Sequence, residues 1–147
     1  MIYFIDDFLD KDLFEKTTQR LNSNSYVEYE TPGKSFWIQE SNNDFNDYVL
    51  QKLQKTEGNK LENILGFFRI SNDVVDTNWR IHSDLNIQGE QPDRAEAENL
   101  DMWTLDSVVG YGENRAISYP ASYFHSKYPN VSWKEGRQVF VMFYKIK

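Results

Sequence analysis

The chain has 147 residues, of which 39% are hydrophobic and 16% aromatic. That apolar share supports one packed domain over residues 1–147 and argues against wholesale disorder. The formal net charge of −7 argues against nucleic acid as a partner, the absence of cysteine excludes disulfides and thiolate chemistry, and no apolar run approaches the length of a membrane span. With acids in the opening MIYFIDDFLDKD where a secretory signal carries basic residues, the expectation is a soluble cytoplasmic protein without membrane contact.

The opening MIYFIDDFL alternates as a short strand. Asp10 then suits a helix cap, with Leu13, Phe14, Thr17 and Leu21 on one helical stripe and Leu9 and Phe14 placed as a hydrophobic staple. Strands are predicted over Tyr26–Tyr29 and Ser35–Gln39. A second helix follows from about Ser41 to Lys55, with Phe45, Tyr48, Val49 and Leu53 in line and Gly58 just past its end. Both helices are one-sided, so each should cover a sheet.

Further strands are predicted over Ile64–Ile70, Asn78–Asp84, Ala116–Tyr119 and Arg137–Tyr144. The polar, turn-prone stretch Gly89–Asn99 reads as a loop, and MWTLDSVVGY is the first strand candidate after it. Helices early and strands late favour an α+β layout with an antiparallel barrel or sandwich.

The chain has two histidines: His82 stands two residues before Asp84 in WRIHSD, and His125 lies in YPASYFHSKYP. On a strand, residues i and i+2 point to the same face with Cα atoms about 6.6–6.8 Å apart, close enough for an imidazole and a carboxylate to share an ion. On a helix the same pair would diverge. A lone strand histidine is more often a hydrogen-bonded structural residue than a ligand, and His-x-Asp by itself is unspecific. With His125 added, the set is two nitrogens and one oxygen, the 2-His-1-carboxylate donor group of non-haem iron(II) oxygenases. Farther on, Arg137 opens RQVFVMFYKI, where it shares a face with Val139, Val141 and Phe143. An arginine on the apolar side of a strand needs an anion.

In these features the chain resembles the iron(II)/2-oxoglutarate-dependent dioxygenases, particularly their small prolyl-hydroxylase-like branch, over nearly its whole length. FIDDFLDKDLFEKTTQRL is similar to that branch's strand-then-helix entry, and GFFRISNDVVDTNWRIHSD to the strands leading into its His-x-Asp motif. GENRAISYPASYFHSKYP and WKEGRQVFVMFYKI resemble its distal-histidine and arginine strands. The resemblance implies a double-stranded β-helix (jelly-roll) core with N-terminal helices packed on the major sheet. It also implies iron(II) on His82, Asp84 and His125, with 2-oxoglutarate and O2 as cosubstrates and Arg137 paired to the distal carboxylate of 2-oxoglutarate. The implied reaction hydroxylates a C–H bond of a peptidyl, for example prolyl, or small-molecule substrate and releases succinate and CO2.

Arg80 shares strand parity with His82 and Asp84 and is a candidate contact to the cosubstrate or to an anionic substrate. Tyr119 and Tyr123 are candidate hydroxyl donors to the pocket, Trp79 a candidate lining residue, and the Gly89–Asn99 loop a candidate lid. Structural ion pairing or plain surface charge is the competing expectation for Arg80 and Arg115. One departure from the family pattern stands out: family members place hydrophobic barrel strands soon after His-x-Asp, and Leu85–Asn99 offers none. Two other functions fit the residues, a non-catalytic jelly-roll binding module and a zinc hydrolase using the same three ligands. The hydrolase also needs a general base, for which no motif is present.

Overall fold

The structure is a computed structural model that describes residues 1–31, 34–71, 81–85, 92–126 and 137–147. In chain order its elements are β1 (Tyr3–Ile5), α1 (Lys11–Ser23), β2 (Val27–Thr31), β3 (Lys34–Glu40), α2 (Asn43–Glu57), β4 (Leu61–Ser71), α3 (Arg94–Glu98), β5 (Ala116–Ser118) and β6 (Arg137–Ile146). They fall into two units, one drawn from Met1–Arg20 and Asn78–Val131, the other from Leu21–Thr77 and Ser132–Lys147.

The second unit is an antiparallel sheet in the order β2-β3-β4-β6, with α2 packed against β4. Local signals place α2. The Asn42 side chain accepts a hydrogen bond from the Phe45 N–H at 2.8 Å, and Gly58 takes the left-handed conformation (φ 73°) that closes the last turn onto the Gln54 carbonyl. Phe45, Val49 and Leu53 recur at helical spacing and are all buried. Phe45 lies 5.1 Å from Phe68 of β4 and 4.9 Å from Phe140 of β6, ring centre to ring centre, and Phe68 lies 5.0 Å from Phe140. Helix and sheet approach closely here, since a Cβ on Gly66 would sit 2.8 Å from Asn46 Oδ1 and 3.0 Å from Phe140 Cζ. Phe68 is 2% exposed, so Phe68→Ala should cost about 3–5 kcal/mol, read as a lower urea midpoint with an unchanged slope.

The β4–β6 register fixes what the other face of the sheet carries. Phe68 pairs with Phe140, Arg69 with Val139, Phe67 with Val141 and Ser71 with Arg137. Because Phe140 meets α2, period-2 alternation puts Arg137, Val139 and Val141 of β6, and Phe67 and Arg69 of β4, on the face turned away from that helix. At the α1 end, the buried Gln39 of β3 donates from Nε2 to the carbonyls of Leu21 and Asn24, both at 3.0 Å, which fastens the helix's last turn to the sheet.

In the first unit β1 and β5 pair antiparallel, Tyr3 opposite Ser118 and Ile5 opposite Ala116. Asn114, at φ 54°, locks the entry to α1: its side-chain oxygen accepts from Leu9 N–H, its Nδ2 donates to Leu9 O, both at 2.8 Å, and its carbonyl accepts from Phe8 N–H at 2.9 Å. Short polar asparagine tolerates this left-handed backbone better than most residues. Arg115 straps β1 to β5, donating from Nε and Nη2 to the two Asp6 oxygens at 2.5 and 3.1 Å and from Nη1 to Gly110 O at 2.6 Å. Of the two roles expected of Arg115, ion pairing or surface charge, the structure shows the ion pair.

The Arg115 hydrogen bonds hold the Asp6 carboxyl below its usual range, against a smaller opposing effect of desolvation. A carboxyl whose pKa is lower folded than unfolded adds stability above the unfolded pKa and loses it as pH falls through the folded one. Asp6→Asn should therefore lower the thermal midpoint at neutral pH, with the gap to wild type closing on acidification. A gap independent of pH would contradict this ion pair.

Three expectations change. Within the predicted loop Gly89–Asn99, Arg94–Glu98 forms α3, because Asp93 and Glu96 make a reciprocal capping box that outweighs the polar, turn-prone composition. MWTLDSVVGY yields no strand: Leu100–Met102 is a 3-10 turn and the residues after it are irregular. The class is mixed α/β with antiparallel sheets, yet among the described residues no sheet closes into a barrel, because four strands join in one sheet and β1 pairs with β5 alone. No described helix is long and apolar enough to cross a membrane.

Candidate metal centre

His82 and His125 face each other across an antiparallel bridge in which each backbone N–H donates to the other's carbonyl, at 3.1 and 2.9 Å. Directly opposed residues project their side chains to one face with Cβ atoms about 4.5–5.5 Å apart, which is why the two imidazole centres stand 4.5 Å apart. Asp84, two residues after His82, comes to the same face. The chain bends there, held by Ser83 Oγ donating to Leu85 O at 2.9 Å and Leu85 N–H donating to Ala121 O at 2.9 Å. The described strand is reduced to the single bridge at His82, and the carboxylate of Asp84 converges on the imidazoles from the bend that follows it. The rest of the predicted strand, Asn78–Arg80, lies outside the described residues.

Asp84 sits between the two rings, its Oδ1 3.7 Å from His82 Nε2 and its Oδ2 3.6 Å from His125 Nε2. One ligand atom from each residue lies within 4.8 Å of the others. Bond lengths of about 2.0–2.2 Å to a divalent ion put neighbouring ligand atoms about 2.9–3.5 Å apart, so a bound ion would draw these three groups closer together. His125 Nδ1 lies 3.0 Å from the Tyr123 carbonyl. A proton on Nδ1 donated to that carbonyl leaves the Nε2 lone pair aimed at the shared point, the usual support for a metal-binding imidazole. The side chains of His82, Asp84 and His125 are 38%, 30% and 27% exposed when only the described residues around them are considered.

Tyr119 packs edge-on to His125 at 5.0 Å between ring centres, so this predicted site residue lies beside the group. Tyr123 contributes its backbone carbonyl. Arg137 begins β6 in the second unit, on the face away from α2. Arg80 and Trp79 lie outside the described residues.

The sequence reading missed what braces the group from the α3 side. Ile81 N–H donates to Ala97 O at 3.1 Å, and both residues are buried, so the segment expected to be a lid is docked beside the His82 strand. Trp103 Nε1 donates to Glu96 O at 2.8 Å and its ring lies 5.2 Å from Phe124, next to His125. The Asp93-x-x-Glu96 spacing was the available signal for this helix. No known protein family, curated protein or solved structure matches this chain, and the His82–Asp84–His125 group is therefore the observation on which a functional reading rests.

Proposed function

We propose that the protein is an iron(II)- and 2-oxoglutarate-dependent dioxygenase of jelly-roll type that hydroxylates a C–H bond of a peptidyl or small-molecule substrate. The convergence of two imidazoles and one carboxylate supports the reading. This donor set suits iron(II) and leaves coordination positions for other ligands. The second unit adds support: α2 covers one face of an antiparallel sheet and Arg137 lies on the other, as expected of a helix-backed major sheet with its anion-binding residue on the inner face.

Each residue has a definable task. His82 and His125 hold the ion as neutral donors, with the Tyr123 carbonyl fixing the orientation of His125. Asp84 supplies one negative charge, which leaves a divalent centre net positive and attractive to a dianionic acid. Arg137 presents a two-pronged guanidinium that matches the far carboxylate of that acid. When bound, iron with 2-oxoglutarate supplies the oxidising power: one atom of O2 enters succinate as CO2 leaves, and the other enters the substrate as hydroxyl.

Protein reconstituted with iron(II) should convert 2-oxoglutarate to succinate slowly even without substrate, in amounts that depend on oxygen. Folded, iron-loaded protein that forms no succinate, with or without a pool of candidate peptides, would favour the non-catalytic binding module.

A further inference from the structure

Beside the metal group, residues 100–109 combine exposed apolar side chains, unpaired backbone and a single sign of charge. Leu100, Met102, Leu105 and Val108 are 44–65% exposed, and large apolar side chains clustered on a surface mark a place where another molecule is met. Among the described residues, 104–109 make no hydrogen bond within the chain, so their N–H and C=O groups are left to solvent or to an added strand. Between Arg94 and Arg115 the chain carries Glu96, Glu98, Asp101, Asp106 and Glu113 and no lysine or arginine. Asp101 and Asp106 stand among the exposed apolar residues and are themselves exposed.

The run is fastened at both ends. Trp103 has extended backbone (φ −122°, ψ 141°), donates from Nε1 to Glu96 O at 2.8 Å, and lies 5.2 Å, ring to ring, from Phe124. Phe124 is exposed and precedes His125, which joins the run to the metal group. At the other end Arg115 Nη1 donates to Gly110 O at 2.6 Å. Fixed ends reduce the entropy lost when a partner pairs with the residues between them.

The occupant has to meet all three features. A small metabolite has no row of backbone donors and acceptors, nucleic acid is repelled by the acids, and a second copy of this chain brings a like net charge of −7. An extended polypeptide with lysine or arginine among apolar residues supplies backbone hydrogen bonds, apolar contact and opposite charge together. We infer that residues 100–109 are the docking strip for such a polypeptide substrate, which adds as a strand and passes Phe124 to reach the metal group. The inference rests on the oxygenase reading and narrows its substrate to a peptidyl one of basic, apolar composition.

The test is fluorescence anisotropy of labelled peptides with manganese(II)-loaded protein. A peptide alternating lysine and valine should bind, and its counterpart with glutamate for lysine should bind at least about 10-fold more weakly. Methylating alternate backbone nitrogens of the lysine peptide keeps its charge, removes N–H donors and should also cost about 10-fold or more. The double variant Asp101→Lys, Asp106→Lys should weaken the lysine peptide and tighten the glutamate peptide, each by about 10-fold, with manganese affinity unchanged. A damaged fold would not exchange the preference. Binding indifferent to both the charge reversal and the backbone methylation overturns the strip. So do dimers, seen by sedimentation, that Leu105→Ser abolishes, since they assign the strip to a second copy. With iron(II) loaded, the lysine peptide should raise succinate formation in wild type and less so in the double variant. Succinate formed from 2-oxoglutarate without peptide binding overturns the strip alone, whereas peptide bound as expected with no succinate formed overturns the oxygenase reading and leaves a binding surface.

Discussion

Replacing His82 or His125 with alanine is expected to lower affinity for manganese(II) or iron(II) by more than about 100-fold, since loss of a mere supporting contact to a ligand costs about 10–100-fold. The fold should persist. Both imidazoles are partly exposed, and the bridge that joins residues 82 and 125 is made by backbone groups that alanine retains. Asp84→Asn is the more discriminating change, because it preserves shape while removing the negative charge and one of the two acceptor oxygens. Titration of the metal-free protein, with far-UV circular dichroism as the control, reads all three variants. Unchanged affinity in any folded variant would remove that side chain from the site. Zinc(II) should bind more tightly than iron(II) to the same residues, so a zinc ion recovered with the protein would not identify the working metal.

Arg137→Ala carries the second large effect: 2-oxoglutarate binding should weaken by about 10–100-fold or more, with metal affinity unchanged. The reason is separation of tasks: Arg137 is none of the three donor residues, so its truncation removes no donor atom. Kinetically the loss should appear as a raised KM for 2-oxoglutarate, with kcat largely recovered at saturation. Should metal affinity fall along with cosubstrate affinity, Arg137 would be supporting the structure instead of recognising an anion.

Much of this arrangement was legible because it depends on short-range periodicity. The i, i+2 relation of His82 and Asp84 needs only an extended backbone, and the end of α2 at Gly58 needs only local geometry. Alternation in β6 likewise placed Arg137 and Val139 on one face before any partner strand was known. What the sequence hid was register. Nothing local sets Arg69 beside Arg137 or His82 opposite His125, since strand pairing is decided by which hydrophobic faces are buried together. The fastening of Leu9 by Asn114 was equally opaque, being a contact between residues far apart in the chain. By contrast, α3 was readable and missed: the Asp93–Glu96 capping box was present, but the surrounding polar composition resembled a loop.

The most direct measurement of the central claim is the visible absorption of the wild-type protein under strict anaerobiosis with one equivalent of iron(II) and excess 2-oxoglutarate. A weak charge-transfer band is expected on adding 2-oxoglutarate, absent in Asp84→Ala and restored in wild type after dialysis and reloading with iron. Folded wild type that binds iron(II) and shows no band with 2-oxoglutarate would contradict a site in which His82, Asp84 and His125 present iron to a chelating 2-oxo acid.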